Sequence, residues 1–322
     1  MGQAVRVGEN RSGDPRPDVT PDTGNKGKVV GSGGSGVVVL AAPAKLTVSL
    51  RVLDRRPDGY HNLDAEMVAL DLCDVLEVDP SGDGLRVETA ADGAIPSRVA
   101  DLPRGSSNLV SRALSAVRRT AGVLLTKRIP VGGGLGGGSA DAAAILRWAG
   151  CLDPQVASGL GADVPFCVVG GRAHVTGVGE VVRPLPYEER TFVLLIPPFG
   201  VDTAAVYRAW DRLGPDAPGE APGSSNDLTA AAISVEPRLE AWRRLLEELT
   251  GARAALAGSG ATWYVEGSPS ELGVEGISTV TLGGAHGSLV AVRTVPQWWE
   301  PEAAGTRLLR SRTAPGAAFD AG

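Results

Sequence analysis

Apolar residues fall in short clusters whose spacing switches between the two-residue period of a strand and the 3.6-residue period of a helix. Residues 37–42 are β-branched and apolar, Pro43, Ala44 and Lys45 interrupt them, and residues 46–53 resume in alternating, extended fashion. Pro57, Asp58 and Gly59 predict a turn. Residues 66–72 and 75–78 are two further strand candidates. Asn108 is placed to cap a helix running through Arg119, with Leu109, Val110, Ala113, Leu114 and Val117 on one face. A strand over 123–127 precedes a glycine run, and an Ala-rich helix is expected over about 139–149. Residues 161–166 read as a short turn, and 172–176 with 180–185 as a hairpin around Gly177 to Gly179. The continuous run 192–196 predicts a buried strand that opens a second domain. Helices are expected over about 203–213 and over 237–250, the latter with Pro237 near its start and Gly251 just past its end. A glycine-rich turn within 257–265 feeds a strand, and 289–295 is read as the last one.

The stretch that needs a chemical explanation comprises Pro130 and Val131, the triplet Gly132, Gly133, Gly134, then Leu135, the triplet Gly136, Gly137, Gly138, and finally Ser139 and Ala140. Six glycines in seven positions cost backbone entropy on folding. Close approach of backbone N–H groups to an anion requires them, and the helix that follows adds its unpaired N–H groups and dipole. Ser139 suits an N-cap, and its hydroxyl could also face a phosphate or a metal ion. No Lys follows the glycines, which excludes the G-x-x-x-x-G-K-[ST] loop, and G-x-G-x-x-G carries no information in so glycine-rich a run. Asp141 is read as favouring the helix N-terminus rather than binding metal.

Composition narrows the function classes. In 322 residues, 43% apolar and 21% charged, there is room for one large or two average soluble domains. A net charge of −6 without a basic stripe gives no support for nucleic-acid binding. Cys73, Cys151 and Cys167 lack paired spacing, which argues against disulfides or a cysteine zinc site and fits a cytoplasmic protein. No apolar run approaches the length of a membrane span. Residues 1–35 are too polar to build a core and are expected to be a disordered leader. Residues after about 297 read as a tail.

Four segments in order resemble the GHMP kinases: Pro43-Ala44-Lys45 with Leu46, the glycine loop, Gly161-Ala162-Asp163 with Val164-Pro165-Phe166, and Gly258 to Thr262. Arg56-Pro57-Asp58-Gly59-Tyr60-His61 and the Asp163 segment are similar to the cytidyl-erythritol branch of that family. The resemblance spans about residues 37–295. It implies an α+β, two-domain GHMP kinase fold, with a ribosomal protein S5 domain 2-like ATP-binding domain over 36–188 and a ferredoxin-like domain over 189–296. It also implies ATP with Mg²⁺, a cytidine diphosphate-linked methylerythritol as small-molecule acceptor, neither nucleic acid nor membrane as partner, and a monomer or weak homodimer. Within that resemblance Asp163 is the general base and Lys45 offsets charge around it and the acceptor hydroxyl. Residues 130–140 cradle the ATP phosphates, and Tyr60 and His61 hold the cytosine. Thr203 matches a position near nucleotide and substrate. Thr47 stands where the family carries Asn, keeping a hydroxyl but losing the amide's reach. The spacing from the glycine loop to Gly161 leaves little room for the extra helix usual there. Two other readings stay open: a GHMP kinase acting on another small alcohol, and a non-catalytic nucleotide-binding paralogue.

Overall fold

The computed structural model describes residues 36–90, 102, 105–214, 225–300 and 317–321. The expected leader, 1–35, and most of the expected tail lie outside them. Two long strands, β1 (Val38–Arg55) and β2 (His61–Asp79), form an antiparallel hairpin that dominates the first sheet. Pro43 and Lys45 do not interrupt β1, because the ladder absorbs them in an irregularity between the two residues. Likewise the two strand candidates at 66–78 are parts of one β2. Its other edge pairs with β4 (Gly122–Lys127) near its end and with β5 (Arg172–Gly177) near its start. β3 (Leu85–Thr89) lies parallel to β4, and β6 (Val181–Leu185) completes the expected hairpin with β5.

Four helices cover this sheet: α1 (Leu109–Ala116), α2 (Gly137–Trp148), α3 (Pro154–Leu160) and α4 (Val164–Val169). Asn108 caps α1 as expected, accepting from the Val110 N–H at 2.9 Å. The structure corrects two readings here. Asp153 caps α3, with Pro154 at its start, so a compact helix does fit ahead of Gly161. Residues 164–169 form a helix where a turn was expected over 161–166, because Pro165 lies in a first turn that needs no amide from it. In α2 every residue from Ala140 to Leu146 is buried. Its small side chains let the helix settle against β1, which explains the Ala-rich run.

The second sheet runs β12-β10-β11-β7-β9-β8, comprising β7 (Thr191–Ile196), β8 (Ala255–Leu256), β9 (Trp263–Glu266), β10 (Ile277–Leu282), β11 (Ala285–Arg293) and β12 (Ala317–Ala321). Residues 317–321 therefore pair with β10 instead of forming tail throughout. Three helices, α5 (Thr203–Leu213), α6 (Thr229–Val235) and α7 (Arg238–Thr250), pack beside it. Phe192, Leu194 and Ile196 of β7 join the first apolar core, while Val193 and Leu195 join the second. A strand buried on both faces needs a continuous apolar run, and β7 has one. Leu239, Trp242, Leu245 and Leu246 of α7 are buried in that second core, each contributing about 1.5–3 kcal/mol.

Candidate active site

The glycine loop links β4 to α2, and its carbonyls point at the second sheet's turns. Gly132 O accepts from the N–H groups of Val201 and Ala261, and Gly133 O accepts from that of Thr262. Gly134 has φ of +78°, and a Cβ there would stand 2.8 Å from Gly260 O and closer still to Ala257 O. Gly134→Ala is therefore expected to cost more than about 1–2 kcal/mol. Thermal unfolding tests this, and an unperturbed variant would remove the close-approach explanation. The N-cap of α2 is Gly136, at φ +68° and with no capping side chain, not the expected Ser139. Ser139 lies one turn in, half-buried, with its hydroxyl uncommitted to the cap. The helix start thus offers backbone N–H groups to an anion.

Gly136 also makes room for Lys45, since a Cβ there would come within 2.7 Å of Lys45 Cγ. The Lys45 N–H donates to Leu135 O at 3.0 Å, binding β1 to the loop. Its side chain, 6% exposed, directs Nζ to Thr47 Oγ1 at 3.1 Å and to Asp163 Oδ2 at 3.5 Å. Asp163 occupies the N-cap position of α4 but makes no capping bond with its side chain, and it is one-third exposed. Its carboxylate is therefore free of a structural task and reaches solvent beside a buried ammonium. Thr47 does for Lys45 what a hydroxyl can, accepting one of its three hydrogens. Behind them Gly258 leaves the Lys45 Nζ room, and Asn226 holds that turn by donating to Leu256 O and Gly258 O at 2.9 and 2.7 Å. Thr203 is exposed at the start of α5, with its Oγ1 2.8 Å from Ser259 Oγ in the same turn.

Beneath the loop lies a charge cluster that the sequence reading missed. Lys127, at the end of β4, donates to Asp74 of β2 and, at 2.7 Å, to Asp141 of α2, all three being buried. Asp74 Oδ1 also accepts from the N–H groups of Arg128 and Ile129. Asp141 is thus drawn inward to Lys127 instead of serving the helix terminus. Burial pushes its carboxyl up to about 8 against the pull of Lys127, with Asp74 adding repulsion. Burial acts against the charge on Lys127, but Asp141 and Asp74 outweigh it and hold the ammonium above its ordinary value. One ammonium does not fully offset two dry carboxylates, so Asp141 keeps its proton to higher pH than a free carboxyl does. An unfolded carboxyl ionises near 3.8, so the folded chain binds more protons between about pH 4 and pH 8 and loses stability as pH rises through that window. Asp141→Asn is expected to flatten that decline in urea unfolding followed from about pH 5 to pH 8. An unchanged slope would show that the proton is held elsewhere.

His61 opens β2 and is buried, while Tyr60 beside it is 62% exposed. His61 stacks on Tyr207 of α5, with centroids 5.0 Å apart, and meets the edge of Trp210. Its Nε2 lies 2.7 Å from Asp211 Oδ1. Burial, and to a lesser degree the negative charge of Asp163, raise the Tyr207 phenol well above its usual range. Tyr207, Trp210 and Asp211 did not emerge from the sequence reading. Among the described residues no group of three or more His, Cys, Asp or Glu side chains could hold a metal, and no helix is long and apolar enough to cross a membrane.

Known proteins resemble this chain in sequence and fold. Residues 108–171 match the GHMP kinases N-terminal domain. The chain is 36% identical over 258 residues to the 4-diphosphocytidyl-2-C-methyl-D-erythritol kinase of Moorella thermoacetica, covering 70% of this chain and 88% of that protein. It is 39% identical over 241 residues to the like-named enzyme of Paracoccus denitrificans, covering 70% and 85%. A crystal structure of 4-(cytidine 5'-diphospho)-2C-methyl-D-erythritol kinase superposes with a TM-score of 0.60 at 33% identity, over 80% of this chain and all of that one.

Proposed function

The chain belongs to the GHMP kinases, among the 4-diphosphocytidyl-2-C-methyl-D-erythritol kinases, and on that premise we propose that it transfers the γ-phosphoryl group of ATP to the 2-hydroxyl of 4-diphosphocytidyl-2-C-methyl-D-erythritol. The observation that carries the residue roles is the pairing of buried Lys45 with solvent-reaching Asp163 directly beside the glycine loop. Phosphoryl transfer is governed by positioning and charge stabilisation, so few groups suffice. Asp163 accepts the proton of the attacking hydroxyl. Lys45, fixed by Thr47 and by its backbone bond to Leu135, offsets charge on the transferred group. Residues 130–140, with the uncapped start of α2, bind the donor phosphates.

The donor set fits Mg²⁺ carried largely by the nucleotide. Asp141 is committed to Lys127, which leaves the Ser139 hydroxyl as the protein group beside the loop to hold the ion. Its chemistry there would be to neutralise the β- and γ-phosphates. On the acceptor side Tyr60 and His61, walled by Tyr207 and Trp210, hold the cytosine, and Thr203, bonded to Ser259, opens the helix that carries Tyr207 and Trp210. In this reading residues 36–188 form the ATP-binding domain and 189–296 the second. The three cysteines are free, in keeping with a reducing cytoplasm, and the protein is read as a monomer or weak homodimer.

The direct test is ADP release by the purified protein with ATP, Mg²⁺ and the cytidyl-erythritol acceptor. Release dependent on that acceptor supports the reading. ATP binding with no such turnover would overturn it.

A further inference from the structure

His61 is gripped from one side. Asp211 Oδ1 lies 2.7 Å from its Nε2, Tyr207 covers one face, and Trp210 closes an edge. Arg55 Nε, 3.6 Å from the other oxygen of Asp211, holds that carboxylate from behind. Among the described residues Asp211 is the hydrogen-bond partner of the ring, so Nδ1 is the nitrogen left to a ligand. A carboxylate only accepts, which places the ring hydrogen on Nε2, and a neutral imidazole in that tautomer carries its lone pair on Nδ1. Pyrimidines differ at position 4. Cytosine presents an amino donor there, and uracil a carbonyl acceptor.

We propose that Asp211 is the specificity-determining residue of the base pocket: by taking the Nε2 hydrogen of His61 it makes Nδ1 an acceptor, which matches the 4-amino group of cytosine and opposes the 4-oxo group of uracil. The inference rests on the reading that a cytidyl-linked acceptor occupies this pocket. It differs from a merely structural role for Asp211, because a carboxamide at 211 keeps size and packing yet can accept from Nε2 or donate to it. The ring hydrogen is then no longer pinned to Nε2, and the preference between the two bases shrinks.

The test measures binding of CDP and UDP to wild type, Asp211→Asn and Asp211→Glu at about pH 8, where an ordinary imidazole is neutral. Turnover of the cytidyl-erythritol acceptor is followed alongside. Wild type is expected to favour CDP by about 10- to 100-fold, the range a correctly or wrongly matched base contact gives. Asp211→Asn is expected to bring the two within about threefold of each other, raising the acceptor KM while kcat stays near wild type. Asp211→Glu retains an acceptor and should keep the CDP preference. An unchanged CDP/UDP ratio in a folded, active Asp211→Asn overturns the inference alone. So does a Glu variant as indiscriminate as the Asn variant. A wild type that neither turns over the acceptor nor binds either nucleotide overturns the functional reading with it.

Discussion

Replacing Asp163 by asparagine is expected to lower kcat by about two to four orders of magnitude, with KM for both substrates changed only a few-fold. The proposed base is removed, but shape is kept. Asparagine still faces Lys45 across the same 3.5 Å gap, but the buried Lys45 ammonium loses the carboxylate that offsets its charge. Stability should therefore fall by about 1–3 kcal/mol, less than for a fully buried pair because Asp163 is one-third exposed. Steady-state kinetics and urea unfolding on the same preparation separate the two effects. A fully active Asp163→Asn would leave the family assignment standing and remove this mechanism.

The second large effect concerns stability. Lys127→Met is expected to destabilise the fold by about 3–5 kcal/mol, because it leaves Asp74 and Asp141 buried without their cation. A methionine fills the volume but offsets no charge. Protonating the carboxyls relieves part of that cost, so the loss should be larger at pH 8 than at pH 5. A loss below about 1 kcal/mol at both values would mean that water reaches the cluster. The same substitution should also disturb nucleotide binding, since a Cβ at Gly137 would stand 3.2 Å from Lys127 Nζ and the cluster underlies the start of α2.

These residues show what a single sequence conveys. Gly132 to Ser139, Lys45 and Asp163 could be read because each breaks a local expectation: a glycine run before a helix, a lysine in an apolar strand, an acid ahead of Val-Pro-Phe. The strand β7 and the helix α7 were legible from uninterrupted and helical apolar spacing. Lys127 left a fainter trace. Val123 and Leu125 of β4 face the core, and two-residue alternation puts Lys127 on that same inward face. A buried lysine demands acidic partners, but their location, 53 residues before it and 14 after, is a property of the tertiary fold. Asp211 gave no local signal at all. It is one polar residue on an amphipathic helix, and only the folding of α5 over the start of β2, 150 residues away, brings it to His61. The continuity of β1 and β2 was misread for a related reason. Pro43 looks like a breaker in one dimension, and the ladder tolerates it through an irregularity that needs a partner strand to exist.

The glycine loop belongs by sequence to the first sheet, yet Gly132 and Gly133 are tied through their carbonyls to Val201, Ala261 and Thr262, and Gly134 fits against Ala257 and Gly260. A segment more than a hundred residues downstream is therefore part of the mould in which the proposed phosphate cradle is cast. Sequence drift in that turn is inherited by the donor site even though the turn itself need touch no phosphate. A graft of residues 130–140 onto another scaffold would carry the letters of the motif without the surface that gives it shape.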